Sequence, residues 1–177
     1  MSSNLKNMIK NNAMLYKLAK FFNKVGYYFK RPEKLLVTLK YRLTLGTCGN
    51  NVDFETRMTI RNPGRISIGN NCTFSSFVVL DAHEAITIGD NCMFALRVTI
   101  STATHDYAKI PMNSVTITKP VTIGNNVWFG VGSTVLPGIT IGDGAVIGAH
   151  ALVTKDVPPN AIIVGIPGKV LKYTSDK

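Results

Sequence analysis

An apolar residue returns at every sixth position over most of this chain, and few folds accommodate such a period. The series Ile123, Phe129, Val135, Ile141, Ile147, Val153 is unbroken, and the register continues upstream as Ile88, Phe94, Ile100, as Ile68, Phe74, Leu80, and as Cys48, Phe54, Ile60. Two residues before each stands a second small or apolar residue, among them Val52, Ile66, Cys72, Val78, Ile86, Cys92, Val98, Val121, Val127 and Ala145. Alternation over that short span is a strand signature. A period of six suits neither a helix nor the variable strands of a sandwich, so each hexad reads as a short strand plus a corner, and three hexads close one triangular coil. Coils stacked at the strand spacing of roughly 4.8 Å pile like residues on like. The expected fold is all-β, a parallel β-helix of about five triangular coils. Gly69, Gly89, Gly124, Gly130, Gly142 and Gly148 follow inward residues and are expected at bends, where the lack of a Cβ helps.

The register slips in three places. Ile60 to Ile68 and Leu80 to Ile88 each step eight positions, which adds a small bulge at a corner. Ile100 to Ile123 steps twenty-three, so seventeen extra residues leave one corner as a loop over 101–120. A long excursion from a regular solenoid is a usual place for function. His105 lies at its start.

Charge divides the chain. Residues 1–45 hold ten Lys/Arg against Glu33 alone, which is +9 of the total +10, whereas residues 46–177 balance ten basic groups against nine acidic ones. The basicity belongs to an N-terminal arm, and a general nucleic-acid-binding reading of the high charge loses its support. Within the arm, Leu5, Met8, Ile9, Leu15, Leu18, Ala19, Phe22 and Val25 recur at helical spacing between lysines, an amphipathic pattern. Such a helix either docks on an anionic membrane surface through residues 1–30 or covers the open end of the first coil. The expected organisation is a basic helical arm over 1–45, a β-helix over 46–160 and a tail over 161–177. Cys48, Cys72 and Cys92 have neither CxxC spacing nor zinc-ligand companions, and Cys72 and Cys92 fall at equivalent positions of adjacent coils, where they should stack as small buried hydrophobes. A reducing, cytoplasmic setting is expected, peripheral to the inner face of the membrane if the arm docks. No apolar run is long enough for a bilayer span.

The stretch PVTIGNNVWFGVGSTVLPGITIGDGAVIGAHALVTKDVPPNAIIVGIPGKVLK resembles the C-terminal coils of the hexapeptide-repeat O-acetyltransferases. That group includes galactoside and maltose acetyltransferases and enzymes that acetylate exopolysaccharide, capsule and lipopolysaccharide sugars. The resemblance covers about residues 46–172, and VTKDVPPNAIIVGIPGKV is its most specific part. It implies a left-handed β-helix, a homotrimer, and acetyl-CoA held as co-substrate in a groove between neighbouring coil stacks.

TATHDY, at the opening of the long loop, matches the place where this family carries its catalytic histidine, which makes His105 the expected general base. An imidazole near its unperturbed pKa can take the proton of a sugar hydroxyl as the oxygen attacks a thioester. Coil arithmetic places Asp81, His83 and Glu84 on the corner beneath the one that launches His105. Asp81 and Glu84, with Asp106, are candidates to contact the acceptor or orient His105, and Asp81 matches a family aspartate that contacts the acceptor sugar. For coenzyme A, the resemblance points to Trp128, Val131, Gly148, Ala149, Thr154, Lys155, Lys169 and Lys172. The last two stand where several relatives carry arginine, so a bidentate grip on phosphate is lost.

Other features point away from a simple galactoside. The substrate-binding asparagine of the galactoside enzymes falls near Ser75 and Ser76, and the short HDY loop looks more like the polysaccharide-modifying branch. The expected activity is therefore acetyl transfer to a hydroxyl of a surface polysaccharide or its precursor. N-acetylation of a nucleotide-linked amino sugar is the alternative. A metal-dependent carbonic anhydrase on the same fold would need three histidine ligands. The chain has His83, His105 and His150, but on different coils, and no metal is expected; a non-catalytic scaffold would have no use for the loop.

Overall fold

The computed structural model describes residues 17, 18, 20, 21, 25, 26 and 31–175. The chain forms two compact units, residues 1–36 and 37–177. Most of the amphipathic pattern expected over residues 5–25 lies outside the described residues; Lys17, Leu18, Lys20, Phe21, Val25 and Gly26 are helical.

The second unit is a parallel β-solenoid of three faces. The first face stacks Thr47–Cys48, Ile66–Ile68, Ile86–Ile88, Val121–Ile123 and Thr140–Ile141. The second stacks Asp53–Phe54, Thr73–Phe74, Met93–Phe94, Trp128–Phe129, Val146–Ile147 and Ala161–Val164, and the third Thr59–Arg61, Val79–Asp81, Thr99–Ser101, Thr134–Val135 and Leu152–Val153. That makes five complete coils and part of a sixth, opened by the bridge from Ile141 to Val157. Every six-residue repeat predicted from the sequence supplies one strand. Beyond residue 160, Ala161–Val164 extends the second face, and Lys169–Tyr173 folds back antiparallel on it, so hydrogen-bonded structure continues through the expected tail. Gly165, at φ +93, supplies a left-handed turn residue between the two strands.

Stacking of like on like is most complete among the phenylalanines. Phe54, Phe74, Phe94 and Phe129 form one column with centroids 5.4, 4.5 and 4.6 Å apart and rings within 14° of parallel. Of the fifteen inward positions, only Cys48 and Ile60, both in the first coil, are less than fully buried. From Val37 onward the helix Pro32–Thr44 belongs to this unit. Tyr41 packs on Phe54 with centroids 5.2 Å apart and donates its hydroxyl to the Met58 carbonyl at 3.3 Å, so this helix end covers the first coil.

The corner glycines are explained by close approach rather than by bending. A Cβ on Gly69 would lie 2.7 Å from the Gly89 backbone, and one on Gly89 would lie 2.8 Å from that of Gly124. The left-handed backbone falls two residues later, on Asn51, Asn71, Asn91, Asn126, Gly144 and Asn160, residue types that tolerate it. The residue between them forms a ladder: the amides of Asn50, Asn70, Asp90 and Asn125 donate to the side chains of Asn70, Asp90, Asn125 and Asp143 at 2.6–2.9 Å. Each Gly-(Asn/Asp)-(Asn/Gly) corner is thereby tied to the next.

Candidate active site

The edge between the third and first faces carries most of the polar candidate residues. Arg61, Asp81 and Ser101 end successive strands of the third face in direct register, so the corners that follow them lie one above another. The third of these corners launches the long excursion. It leaves as a hairpin in which Ala103–His105 pairs antiparallel with Thr116–Thr118, His105 opposite Thr116. His105 is exposed, on a short two-stranded ribbon rather than on free loop.

Asp81 lies beneath that hairpin. Its Oδ2 is 3.8 Å from Arg61 Nη1 and its Oδ1 is 3.6 Å from His83 Nε2. Oδ1 is buried and accepts no hydrogen bond. A buried carboxylate oxygen with no donor costs free energy that a ligand hydroxyl can recover. Arg65 donates to the His83 carbonyl, which steadies the same corner. Glu84 contributes through its amide, which donates to Thr102 Oγ1 at 2.8 Å. Asp106 serves its own turn: Oδ1 accepts from the Ala108 amide at 3.0 Å and its carbonyl from Lys109 at 3.1 Å. Its carboxylate thus already has a local partner.

Two coils further on, the same edge opens into a cleft of about 320 Å³ lined by Thr154, Lys155 and Lys169, with Val153, Asp156, Pro167 and Gly168 among its walls. The rest of the expected coenzyme A set lies elsewhere. Trp128 stands half-exposed on the outside of the second face, in register with Met93 and Val146. Val131, Gly148 and Ala149 follow at the corner between the second and third faces. There the His150 amide donates to the Val131 carbonyl at 2.8 Å, and a Cβ on Gly130 would lie 2.6 Å from the Ala149 nitrogen. Lys172 sits opposite Ile162 on the last strand. The candidate residues therefore divide between two edges of one prism. Asp81, Glu84, His105, Thr154 and Lys155 share one; Val131, Gly148 and Ala149 occupy another.

The histidines divide likewise. His83 belongs to the Asp81 corner, while the ring of His150 lies over Gly132, within 2.7 Å of where a Cβ would be. Among the described residues no three His, Cys, Asp or Glu side chains are grouped as metal ligands. Cys72 and Cys92 are fully buried, and their sulfurs lie 3.2 and 3.1 Å from the Gly89 and Gly124 carbonyls. The hydrogen bond with Cys72, and then burial, push the Cys92 thiol up from its ordinary range, which suits core packing rather than nucleophilic work.

Sequence reasoning did not single out Thr102, which is completely buried at the foot of the hairpin, or Arg61. Both were reachable by coil arithmetic, since Arg61 and Asp81 end equivalent strands and Thr102 repeats the position of Ala82.

A family model described as bacterial transferase hexapeptide (six repeats) matches residues 120–155. The chain is 43% identical over 84 residues to galactoside O-acetyltransferase of Escherichia coli (strain K12), a match spanning 47% of this chain and 41% of that protein. The matched stretch is thus less than half the length of that relative. Among solved structures, a galactoside acetyltransferase in complex with coenzyme A is 36% identical, with a TM-score of 0.74, 77% of this chain covered and 68% of the other. A maltose O-acetyltransferase from Clostridium difficile 630 is 34% identical, with a TM-score of 0.72, 92% of this chain covered and 89% of the other.

Proposed function

The chain belongs to the hexapeptide-repeat acetyltransferases, and from that premise we propose that it moves an acetyl group from acetyl-CoA to a sugar hydroxyl with His105 as general base. The observation that carries this reading is that the hairpin bearing His105 leaves the corner directly above the one that carries Asp81, whose buried carboxylate oxygen accepts no hydrogen bond among the described residues. An acceptor hydroxyl that donated to Asp81 Oδ1 would be held on the edge from which His105 rises. A neighbouring hydroxyl of the same sugar would then lose its proton to the imidazole as its oxygen attacks the thioester carbonyl. As the carbon–sulfur bond breaks, the imidazolium returns the proton to the departing thiolate. Base catalysis of this kind contributes about 10²–10⁴-fold.

Lys155 and Lys169, across the cleft at the far end of the same edge, suit the phosphates of coenzyme A. Trp128, Val131, Gly148 and Ala149 face away from that edge, which favours a homotrimer in which one copy's second face meets the next copy's His105 edge. The acceptor we propose is a sugar of a surface polysaccharide or its precursor, with the amino group of a nucleotide-linked sugar as the alternative. The setting is cytoplasmic, with peripheral contact to anionic membrane through residues 1–30.

Replacing His105 with Ala should lower turnover by about 10²-fold or more while coenzyme A affinity stays within about threefold, a change worth under about 1 kcal/mol. Thioester consumption against nucleotide sugars, amino sugars, maltose, methyl galactoside and longer oligosaccharides is the assay. Wild-type turnover in the Ala variant would remove the base from the mechanism. Transfer confined to amino groups would replace the hydroxyl acceptor.

A further inference from the structure

Thr102 differs from every other buried polar group of the solenoid. Ser133, also fully buried, donates only to Gly130 within its own corner, at 2.9 Å. The hydroxyl of Thr38, on the helix Pro32–Thr44, has no hydrogen-bond partner among the described residues. Thr102 reaches across coils in two directions. Its amide and its Oγ1 both donate to the Asp81 carbonyl, at 3.1 and 3.0 Å, and the same Oγ1 accepts from the Glu84 amide at 2.8 Å. Its own carbonyl accepts from the Lys119 amide at 2.9 Å, next to where the returning strand Thr116–Thr118 ends. One side chain and its backbone thus close the foot of the hairpin and hold both ends of the corner below. The equivalent residue one coil down is Ala82, which has no polar side chain with which to do this.

We propose that Thr102 is a positioning residue for acetyl transfer, setting the corner that carries Asp81, His83 and Glu84 against the hairpin that carries His105. The assignment rests on the reading of His105 and Asp81 given above. The route is short. Glu84's amide is pinned by the Thr102 hydroxyl, residues 82–84 are pinned with it, and His83 in that segment stands 3.6 Å from Asp81 Oδ1. On the other side, the Lys119 bond holds the two hairpin strands together at their base. Acceptor contact and base are carried by separate coils, and at this edge Thr102 joins those coils through a side chain.

Valine is the informative replacement, because it keeps the shape of threonine and removes the hydroxyl. The backbone bond to the Asp81 carbonyl survives in Thr102→Val, so coil register is kept, but the Glu84 amide loses its acceptor and the corner loosens. Thr102→Ser restores the hydroxyl. With the sugar that the wild-type chain acetylates fastest in the panel above, kcat/KM for the acceptor should fall about tenfold in the Val variant and recover to within about twofold in the Ser variant. The KM for acetyl-CoA should not move, since the cleft of Lys155 and Lys169 lies two coils away. Amide hydrogen exchange at Glu84 should quicken about tenfold in Val and return in Ser, a readout that needs no acceptor.

A Val variant with wild-type acceptor kcat/KM, or with unchanged exchange at Glu84, overturns the proposal. So does a Val variant whose acetyl-CoA KM rises in step with its acceptor KM, which would make Thr102 general scaffolding. If no sugar in the panel is acetylated, it is the acceptor reading that fails, and the exchange measurement alone decides whether Thr102 holds the corner.

Discussion

Gly89 shows how much of this molecule is decided at single positions. A Cβ there would lie 2.8 Å from the Gly124 backbone and 2.6 Å from Asn125 Oδ1, the atom that accepts the Asp90 amide. Neither neighbour yields cheaply, because one is backbone and the other is a rung of the corner ladder. Gly89→Ala should destabilise the fold by about 1–3 kcal/mol, the usual cost of overpacking. Gly64→Ala is the internal control, since nothing lies within 4 Å of its added methyl. Urea unfolding of the two variants checks this, and equal midpoints would show that the coils part without cost. The glycines were visible in the sequence as a periodic mark, but their reason was not. Periodicity distinguishes inside from outside; it does not distinguish a bend from a close approach, because both exclude a side chain. The asparagines of the left-handed corners were equally regular, as Gly-Asn-Asn at 49–51, 69–71 and 124–126 and Gly-Asp-Asn at 89–91.

The long excursion and the N-terminal helix are the elements that the six-residue period does not govern, and they were the least readable. A slip of seventeen residues located the excursion, but three-residue strands such as Ala103–His105 and Thr116–Thr118 are too short to show alternation. Their pairing is a tertiary fact, set where Thr102 and Lys119 meet. Past residue 160 the sequence loses the hexad, and the antiparallel return of Lys169–Tyr173 could not be read from it. Tyr41 and Leu45 are buried, with Tyr41 on Phe54, whereas Leu39 and Leu43 are 47% and 84% exposed. The stretch 37–45 therefore covers the first coil, and the charge of residues 1–30 suits the proposed membrane contact. Removing residues 1–30 should abolish binding to vesicles containing anionic phosphatidylglycerol and leave the unfolding temperature within about 3 °C, a shift of under about 1 kcal/mol. Aggregation or loss of the proposed trimer on truncation would instead make the segment part of the cap.

For the molecule as a whole, the coils formed a legible repeat while the site did not, because a repeat is written along one chain and this site's candidate residues lie on two edges of it. Nothing in a single sequence states which edge of one copy would meet which face of another, and a site divided between two edges is complete only if the proposed homotrimer brings them together. The stack has a further global consequence, since each coil contacts mainly its neighbours and a weak coil weakens both. Two ionisable groups of the first coil are held in their neutral forms, since burial pushes up the Tyr41 hydroxyl and the Cys48 thiol. The hydrogen bond between Cys72 and Cys92 lowers the first thiol and raises the second, so their effects oppose one another. In the unfolded chain the Cys48 thiol loses its proton around pH 9.0 and the tyrosine around pH 10.0. The folded first coil then binds more protons than the unfolded one, and its contribution, fully present below pH 9.0, falls as pH rises. Thermal unfolding followed by circular dichroism from about pH 7 to about pH 11 should show a midpoint that declines beyond about pH 9. Replacing Cys48 with Ala should make that decline shallower. A midpoint that stays level through about pH 10.5, or a decline of equal slope in the Ala variant, would mean that the Cys48 thiol reaches solvent before the coils separate.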